Sequence, residues 1–234
     1  MVATNNFTII SESDGSTELL KQKIRKHWGI IDLGLISWLL GMKITQDLKA
    51  KTISLSQQSH VKQILVCFQL KNAQPAVMPL EAGVDLLLES PSVSPTLLTP
   101  SEKRTYHEMI GLLMYATVMT CPDLAFAVST LSQYLESLHT THLRAVTWVF
   151  RYLLSTKSLK LVLGGTQNKI TSYSDADWVS HIHCHSISSL IQFISAGIVF
   201  WSCKKQPIVT LSSIEAKYVA LIVEFAQFDE HWAS

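Results

Sequence analysis

Residues 169–178, Lys-Ile-Thr-Ser-Tyr-Ser-Asp-Ala-Asp-Trp, lie where strand patterns replace helix patterns along the chain. β-Favouring residues precede Asp175, so this carboxylate is predicted to stand at the end of a strand. Asp177, two residues further on, is predicted to lie in a turn. Short runs rich in Ile, Val and Phe continue the same pattern. The predicted strands of this part cover residues 159–163, 169–175, 187–194 and 197–203.

Helical patterns dominate the chain before residue 156, with apolar residues at spacings of three and four. The predicted helices cover 16–28 with Ser16 as N-cap, a stretch beginning at Ser56, then 104–118, 123–136 and 140–155, and after the strands 212–228. Two further strands, 36–45 and 51–55, flank a polar turn. Five of the seven prolines lie between residues 71 and 103, which indicates a linker. Together these elements predict a mixed α/β fold.

The composition indicates a globular chain with a packed core. Of 234 residues, 47% are hydrophobic and 16% are charged, which excludes a disordered, tail-like chain. A formal net charge of +1 does not by itself indicate a nucleic-acid-binding surface. The four cysteines have no CxxC spacing and indicate free thiols in a reducing compartment. Because no secretory signal or membrane-length apolar segment is found, we expect a soluble, intracellular chain without membrane contact.

Seven strings, spread in order over nearly the whole chain, carry more specific information. They are Asp-Leu-Gly at 32–34 with Trp-Leu-Leu-Gly-Met-Lys-Ile at 38–44, Thr-Ile-Ser-Leu-Ser-Gln at 52–57, Ile-Gly-Leu-Leu-Met-Tyr at 110–115 with Pro-Asp-Leu-Ala-Phe-Ala-Val-Ser at 122–129, Arg-Tyr-Leu at 151–153, Tyr-Ser-Asp-Ala-Asp-Trp at 173–178, Trp-Ser-Cys-Lys-Lys-Gln-Pro at 201–207 and Leu-Ser-Ser-Ile-Glu-Ala-Lys-Tyr at 211–218. In this order they resemble the copia-type family of LTR-retrotransposon Pol polyproteins.

The resemblance implies four segments, which run from the end of reverse transcriptase into ribonuclease H. They are 1–70, the palm edge and thumb; 71–103, a Pro-rich linker; 104–156, a helical connection; and 157–234, a truncated ribonuclease-H-like sheet with its helix. The family's polymerase carboxylates form a Tyr-x-Asp-Asp turn, which would lie upstream of this chain, and no Asp-Asp pair occurs here. Because two-metal polymerisation needs clustered carboxylates, we expect no polymerase activity.

The resemblance also assigns a nuclease metal position to Asp175, where the parent family would hold Mg²⁺. The family's second ligand is a helical Glu, and Lys217 stands at its position. Glu215 points about 200° away along the helix and forms a capping-box pattern with Ser212. An ammonium group offers no lone pair and repels a divalent cation. The family's later Asp would lie beyond Ser234, so we expect a degenerate fragment without catalysis or bound Mg²⁺.

Two alternative functions stay open at this point. One is residual metal-dependent cleavage of RNA–DNA hybrids through Asp175. The other is a non-catalytic module that binds RNA–DNA hybrid or DNA through phosphate contacts from Arg144, Arg151, Lys157 and Lys160. A solvated helix face explains that basic cluster equally well.

Two smaller expectations concern the edge of the predicted sheet and a histidine-rich string. The family's sheet pairs its first strand with a later strand that this chain lacks. The strand ending at Asp175 is therefore expected to have an unpaired edge, through which the chain would self-associate. The string His181-Ile182-His183-Cys184-His185 contains zinc-ligand residue types but has no second ligand pair, so we expect no zinc site.

Overall fold

A computed structural model describes residues 8–11, 13–81, 83–84, 86, 96–166, 169–178 and 185–232, and it has the predicted mixed α/β fold. The helices in these residues are α1 Asp14–His27, α2 Gln58–Cys67, α3 Pro100–Met119, α4 Ala125–Ser132, α5 Thr140–Thr156 and α6 Ser213–Trp232, with a 3-10 turn at Pro122–Leu124. The strands are β1 Trp38–Leu39, β2 Met42–Asp47, β3 Thr52–Ser56, β4 Leu161–Gly164, β5 Ile170–Asp177, β6 Ile187–Ile194 and β7 Gly197–Lys205. None of the described helices is both long enough and apolar enough to cross a membrane.

The main core lies among helices α2 to α5. Tyr106, Leu113, Leu131 and Phe150 are completely buried there, and the Tyr106 hydroxyl donates a hydrogen bond to the Leu131 carbonyl at 2.8 Å. This bond satisfies the one polar atom of the Tyr106 side chain inside an apolar core. The helical spacing of these residues explains why the sequence predicts their helices well.

The first sheet is antiparallel, with strand order β1-β2-β3-β4. β4 pairs with β3, and Gly164 stands opposite Thr52. At Gly164 φ is +98°, and a Cβ atom would lie 2.4 Å from the Lys51 carbonyl oxygen, so the pairing requires glycine. This hydrogen bonding crosses the predicted boundary at residue 156, and the four-segment division stays a prediction.

The second sheet is an antiparallel meander with strand order β5-β6-β7. Asp175 stands opposite Ser189 of β6, which in turn stands opposite Cys203 of β7. Within the described residues, β6 is the one strand bonded to β5, and the predicted self-association stays a prediction. The indole N–H of Trp201 on β7 donates to the Thr117 carbonyl of α3 at 2.9 Å and ties this sheet to the helical core.

Several local predictions were wrong, each for a short-range reason. The strand predicted at 36–45 is instead a hairpin, in which β1 pairs antiparallel with β2 and Leu39 stands opposite Met42, because the chain turns at Gly41, where φ is +75°. α1 begins earlier than predicted because Ser13, rather than Ser16, is its N-cap and accepts a bond from the Ser16 N–H at 3.3 Å. α3 begins at Pro100 instead of residue 104 because Thr99 forms a capping box and proline fits the first helical turn. Asp177 lies in β5 opposite Ile187 instead of in a turn, because the alternation of the strand continues through it.

Candidate metal site at the end of β5

The carboxylate of Asp175 lies on the exposed side of β5. Along this strand Tyr173, Asp175 and Asp177 are exposed while Ala176 is buried, as expected from the two-residue period of a strand. The Lys217 ammonium nitrogen is 3.6 Å from Asp175 Oδ1, and the two side chains are 65% and 76% exposed. The structure therefore brings together the two positions that the motifs assign to neighbouring metal ligands.

Helix α6 carries Lys217 to this point. Ala216 and Ala220 are buried against Ala176 of β5, and such small side chains allow the helix to approach the sheet closely. Since Lys217 follows Ala216 along the helix, its side chain leaves α6 next to the contact with β5 and reaches Asp175.

Glu215 is held at the start of α6 and away from Asp175. The Glu215 N–H donates to Ser212 Oγ at 3.1 Å, as the capping pattern predicts. Glu215 Oε2 accepts from the Leu211 N–H at 2.7 Å, one residue earlier than an ordinary capping box would place this bond. Glu215, the acidic residue of α6 nearest to Lys217 in sequence, is therefore engaged in the hydrogen bonds that cap the helix.

The residues around Asp175 do not fit a resident Mg²⁺ ion. This ion needs oxygen ligands in near-octahedral geometry, whereas the group that faces Asp175 is an ammonium. The cross-strand neighbour Ser189 donates its hydroxyl to Cys203 Sγ at 3.6 Å, and Asp177 lies two residues along the same side of the strand. Among the residues that the structure describes, no group of three His, Cys, Asp or Glu side chains could hold a metal ion.

Comparisons with known proteins agree with the seven strings. The chain is 34% identical over 224 residues, 94% of its length, to the retrovirus-related Pol polyprotein from transposon TNT 1-94 of Nicotiana tabacum. It is 33% identical over 168 residues, 71% of its length, to the Pol polyprotein from transposon RE2 of Arabidopsis thaliana. The chain belongs to the copia-type retrotransposon Pol family.

The chain spans a small part of these Pol polyproteins, 17% of the first and 11% of the second. It is also 42% identical over 119 residues, half of this chain, to secreted RxLR effector protein 161 of Plasmopara viticola, and this match covers 83% of that protein. No protein-family model and no solved structure matches this Pol-family chain.

The basic cluster of this Pol-family chain divides into two parts. Arg144 Nη2 lies 2.6 Å from Glu81 Oε2. Arg151 Nε donates to the Gln74 carbonyl at 2.6 Å, and its guanidinium lies 4.5 Å from the ring centre of Trp148. Both arginines thus attach residues 74–81 to α5. The four-residue nucleic-acid contact stays a prediction.

The other part of the cluster consists of Lys157 and Lys160, which lie exposed just after α5. Their ammonium groups are open to a phosphate, whereas Arg144 and Arg151 already contact the protein.

Of the zinc-ligand string at 181–185, residues 181–184 lie outside the described residues. Within that string the structure describes His185, whose Nδ1 lies 2.8 Å from the Gln206 carbonyl oxygen.

Asp177, which was predicted to lie in a turn, is the neighbour of Asp175 whose place in the strand was predicted wrongly. A strict alternation of exposed side chains through Tyr173, Asp175 and Asp177 would have indicated that the strand continues. The structure places all three on one side of β5, so the carboxylate of Asp177 faces solvent on the same side as that of Asp175.

Proposed function

We propose that this chain is a polymerase-to-nuclease region of a copia-type Pol protein whose ribonuclease H metal site is inactive. The 3.6 Å approach of Lys217 to Asp175 is the observation that carries the proposal. The resemblance places two carboxylates at these positions, and here one of them is replaced by an ammonium. In this proposal the strand, the helix and the contact between positions 175 and 217 are retained, whereas the full set of carboxylate ligands is lost.

The physical reason for inactivity is electrostatic. Hydrolysis by two metal ions needs carboxylates that hold both ions against the scissile phosphate. A protonated lysine places a positive charge where the metal ion would bind, and it has no lone pair with which to ligate that ion. Its ion pair with Asp175 is exposed, and such pairs contribute less than about 1 kcal/mol to stability. The contact is therefore better explained as the remnant of a site than as a structural requirement.

A hybrid-cleavage assay tests this proposal. The full chain is incubated with a labelled RNA–DNA duplex in the presence of Mg²⁺ or Mn²⁺, and Asp175→Asn serves as the matched variant because it removes the carboxylate charge at nearly constant volume. We expect no cleavage above the metal-only background for either protein. Cleavage by the wild-type chain that disappears in Asp175→Asn would refute the proposal and establish residual nuclease activity.

A second candidate function is the binding of RNA–DNA hybrid or DNA without catalysis. The exposure of Lys157 and Lys160 favours it, since both are placed to neutralise phosphates. Binding of a labelled duplex that weakens with added salt, and weakens further when both lysines are replaced by Ala, would support it. Unchanged binding in that variant would exclude these lysines as the contact.

A further inference from the structure

Residues 74–81, called the strap below, are fastened to one face of α5 by several hydrogen bonds. The Ala76 N–H donates to the Arg151 carbonyl at 3.1 Å, and the indole N–H of Trp148 donates to the Met78 carbonyl at 3.0 Å. The side chains of α5 that contact the strap come from positions 144, 148 and 151, whose spacing of four and three residues places them on one side of a helix. The strap is therefore held in place by bonds that do not involve its charged end.

The strap ends on its one charged side chain, Glu81, which contacts Arg144. Nε and Nη2 of Arg144 both donate to Glu81 Oε2, at 3.2 and 2.6 Å. The Arg144 side chain is 67% exposed and the Glu81 side chain is 30% exposed. Because an exposed ion pair of this kind is weak, another anion can replace the carboxylate. A phosphate oxygen accepts the same charge-assisted hydrogen bonds from a guanidinium group.

The groove beside this ion pair combines two cations with an aromatic ring. It has a volume of about 400 Å³, and its lining includes Arg144, Trp148 and Arg151. Arg151 donates to a backbone carbonyl of the strap, which carries no net charge, so this bond does not neutralise the guanidinium. Of the two arginines, Arg144 is therefore the one whose charge the strap cancels.

We propose that Glu81 is an internal competitor for nucleic-acid phosphate at Arg144. The inference rests on the second candidate function, the binding of RNA–DNA hybrid or DNA. While the ion pair is formed, Lys157 and Lys160 supply the phosphate contacts. When a backbone phosphate displaces Glu81, Arg144 joins the two lysines, and the fastened strap keeps the displaced carboxylate near enough to return.

The length of α5 suits such a joint contact. Lys157 is the C-cap of this helix, thirteen residues after Arg144. At 1.5 Å per residue the two positions are about 20 Å apart along the helix. About six base pairs of duplex cover the same length. A duplex that lies along α5 would therefore reach both cations at once.

Glu81→Gln tests the competition, because glutamine keeps the size of the side chain and removes the charge that occupies Arg144. Binding of a labelled DNA duplex to the full chain is followed by fluorescence anisotropy over a salt series. The slope of log affinity against log salt should steepen by about 0.9, which corresponds to one further phosphate contact. The advantage of Glu81→Gln over the wild-type chain should therefore grow about fivefold as the salt falls from about 0.3 M to about 0.05 M.

Two comparisons separate the release of Arg144 from a simple loss of negative charge. In an Arg144→Gln background, Glu81→Gln should not steepen the slope, because the cation that it would release is absent. Glu108→Gln makes the same charge change in another exposed pair, in which Arg104 Nε lies 3.2 Å from Glu108 Oε1 on α3. It should leave the slope unchanged, since Arg104 does not line the groove.

The possible outcomes distinguish this inference from the function on which it rests. An equal gain in the Arg144→Gln background, or in Glu108→Gln, would reveal a general charge effect and overturn the proposal. Salt-dependent binding that is lost when Lys157 and Lys160 are replaced by Ala, without any gain in Glu81→Gln, would support the binding function and overturn the competition alone. No binding by either the wild-type chain or Glu81→Gln would overturn both.

Discussion

Replacing Lys217 by Glu reverses the charge that faces Asp175 while leaving the buried side of α6 untouched. Lys217 is 65% exposed, and glutamate has nearly the same helix propensity as lysine, so the variant should fold as the wild-type chain does. The substitution also returns a carboxylate to the position where the copia-type motif places one. We therefore expect Lys217→Glu to gain affinity for a divalent cation.

The expected gain follows from the distance between Lys217 and Asp175. A metal ion bound about 2.1 Å from Asp175 Oδ1 would lie at most about 5.7 Å from the Lys217 nitrogen, which is itself 3.6 Å from that oxygen. At that distance, charges of +2 and +1 repel by about 1.5 kcal/mol in water. Changing +1 to −1 doubles this to about 3 kcal/mol, which is about 100-fold in affinity at low salt before any direct ligation.

Paramagnetic broadening by Mn²⁺, followed by NMR at backbone amides of β5, measures the affinity directly. Lys217→Gln removes the charge without adding a ligand and should gain about tenfold, half the effect on a logarithmic scale. Lys62→Glu, which makes the same charge change elsewhere, should leave broadening near Asp175 unchanged. Equal Mn²⁺ affinity in wild type and Lys217→Glu would refute the electrostatic reasoning, because the contact would then have no influence on the site.

Three further predictions concern packing, pH and nucleic acid. Ala216→Leu should destabilise the chain by about 1–3 kcal/mol in urea unfolding, because Ala216 is fully buried and the added volume has no space. Burial lowers the pKa of His142 below its ordinary 6.5. The stability that the neutral imidazole contributes is therefore fully present above pH 6.5 and should be lost as the pH falls through the lowered pKa. Thermal melts over this pH range should show a smaller loss of stability in His142→Gln than in the wild-type chain. If the chain binds duplex DNA, replacing Lys157 and Lys160 by Ala should reduce the slope of log affinity against log salt by about 1.8, whereas Arg144→Ala should change it less.

The elements that sequence patterns predicted well are those whose residues carry strong periodicity. β6 was predicted at 187–194 and forms Ile187–Ile194, and α5 was predicted at 140–155 and forms Thr140–Thr156. The pairing of β4 with β3 could not be predicted, because local patterns say nothing about which strands meet across about a hundred residues of chain. Gly164 could not have indicated this pairing beforehand, because the need for glycine there becomes evident only when the position of the neighbouring backbone is known.

The candidate site was predicted from motif strings and not from periodicity. The motif strings assigned Asp175 and Lys217 to neighbouring positions, and the structure places them in contact. The partners of Arg144 and Arg151 were not accessible, because Glu81 and Gln74 lie in a proline-rich stretch without periodicity. Sequence motifs therefore predicted that positions 175 and 217 are neighbours, but they did not identify the partners of Arg144 and Arg151.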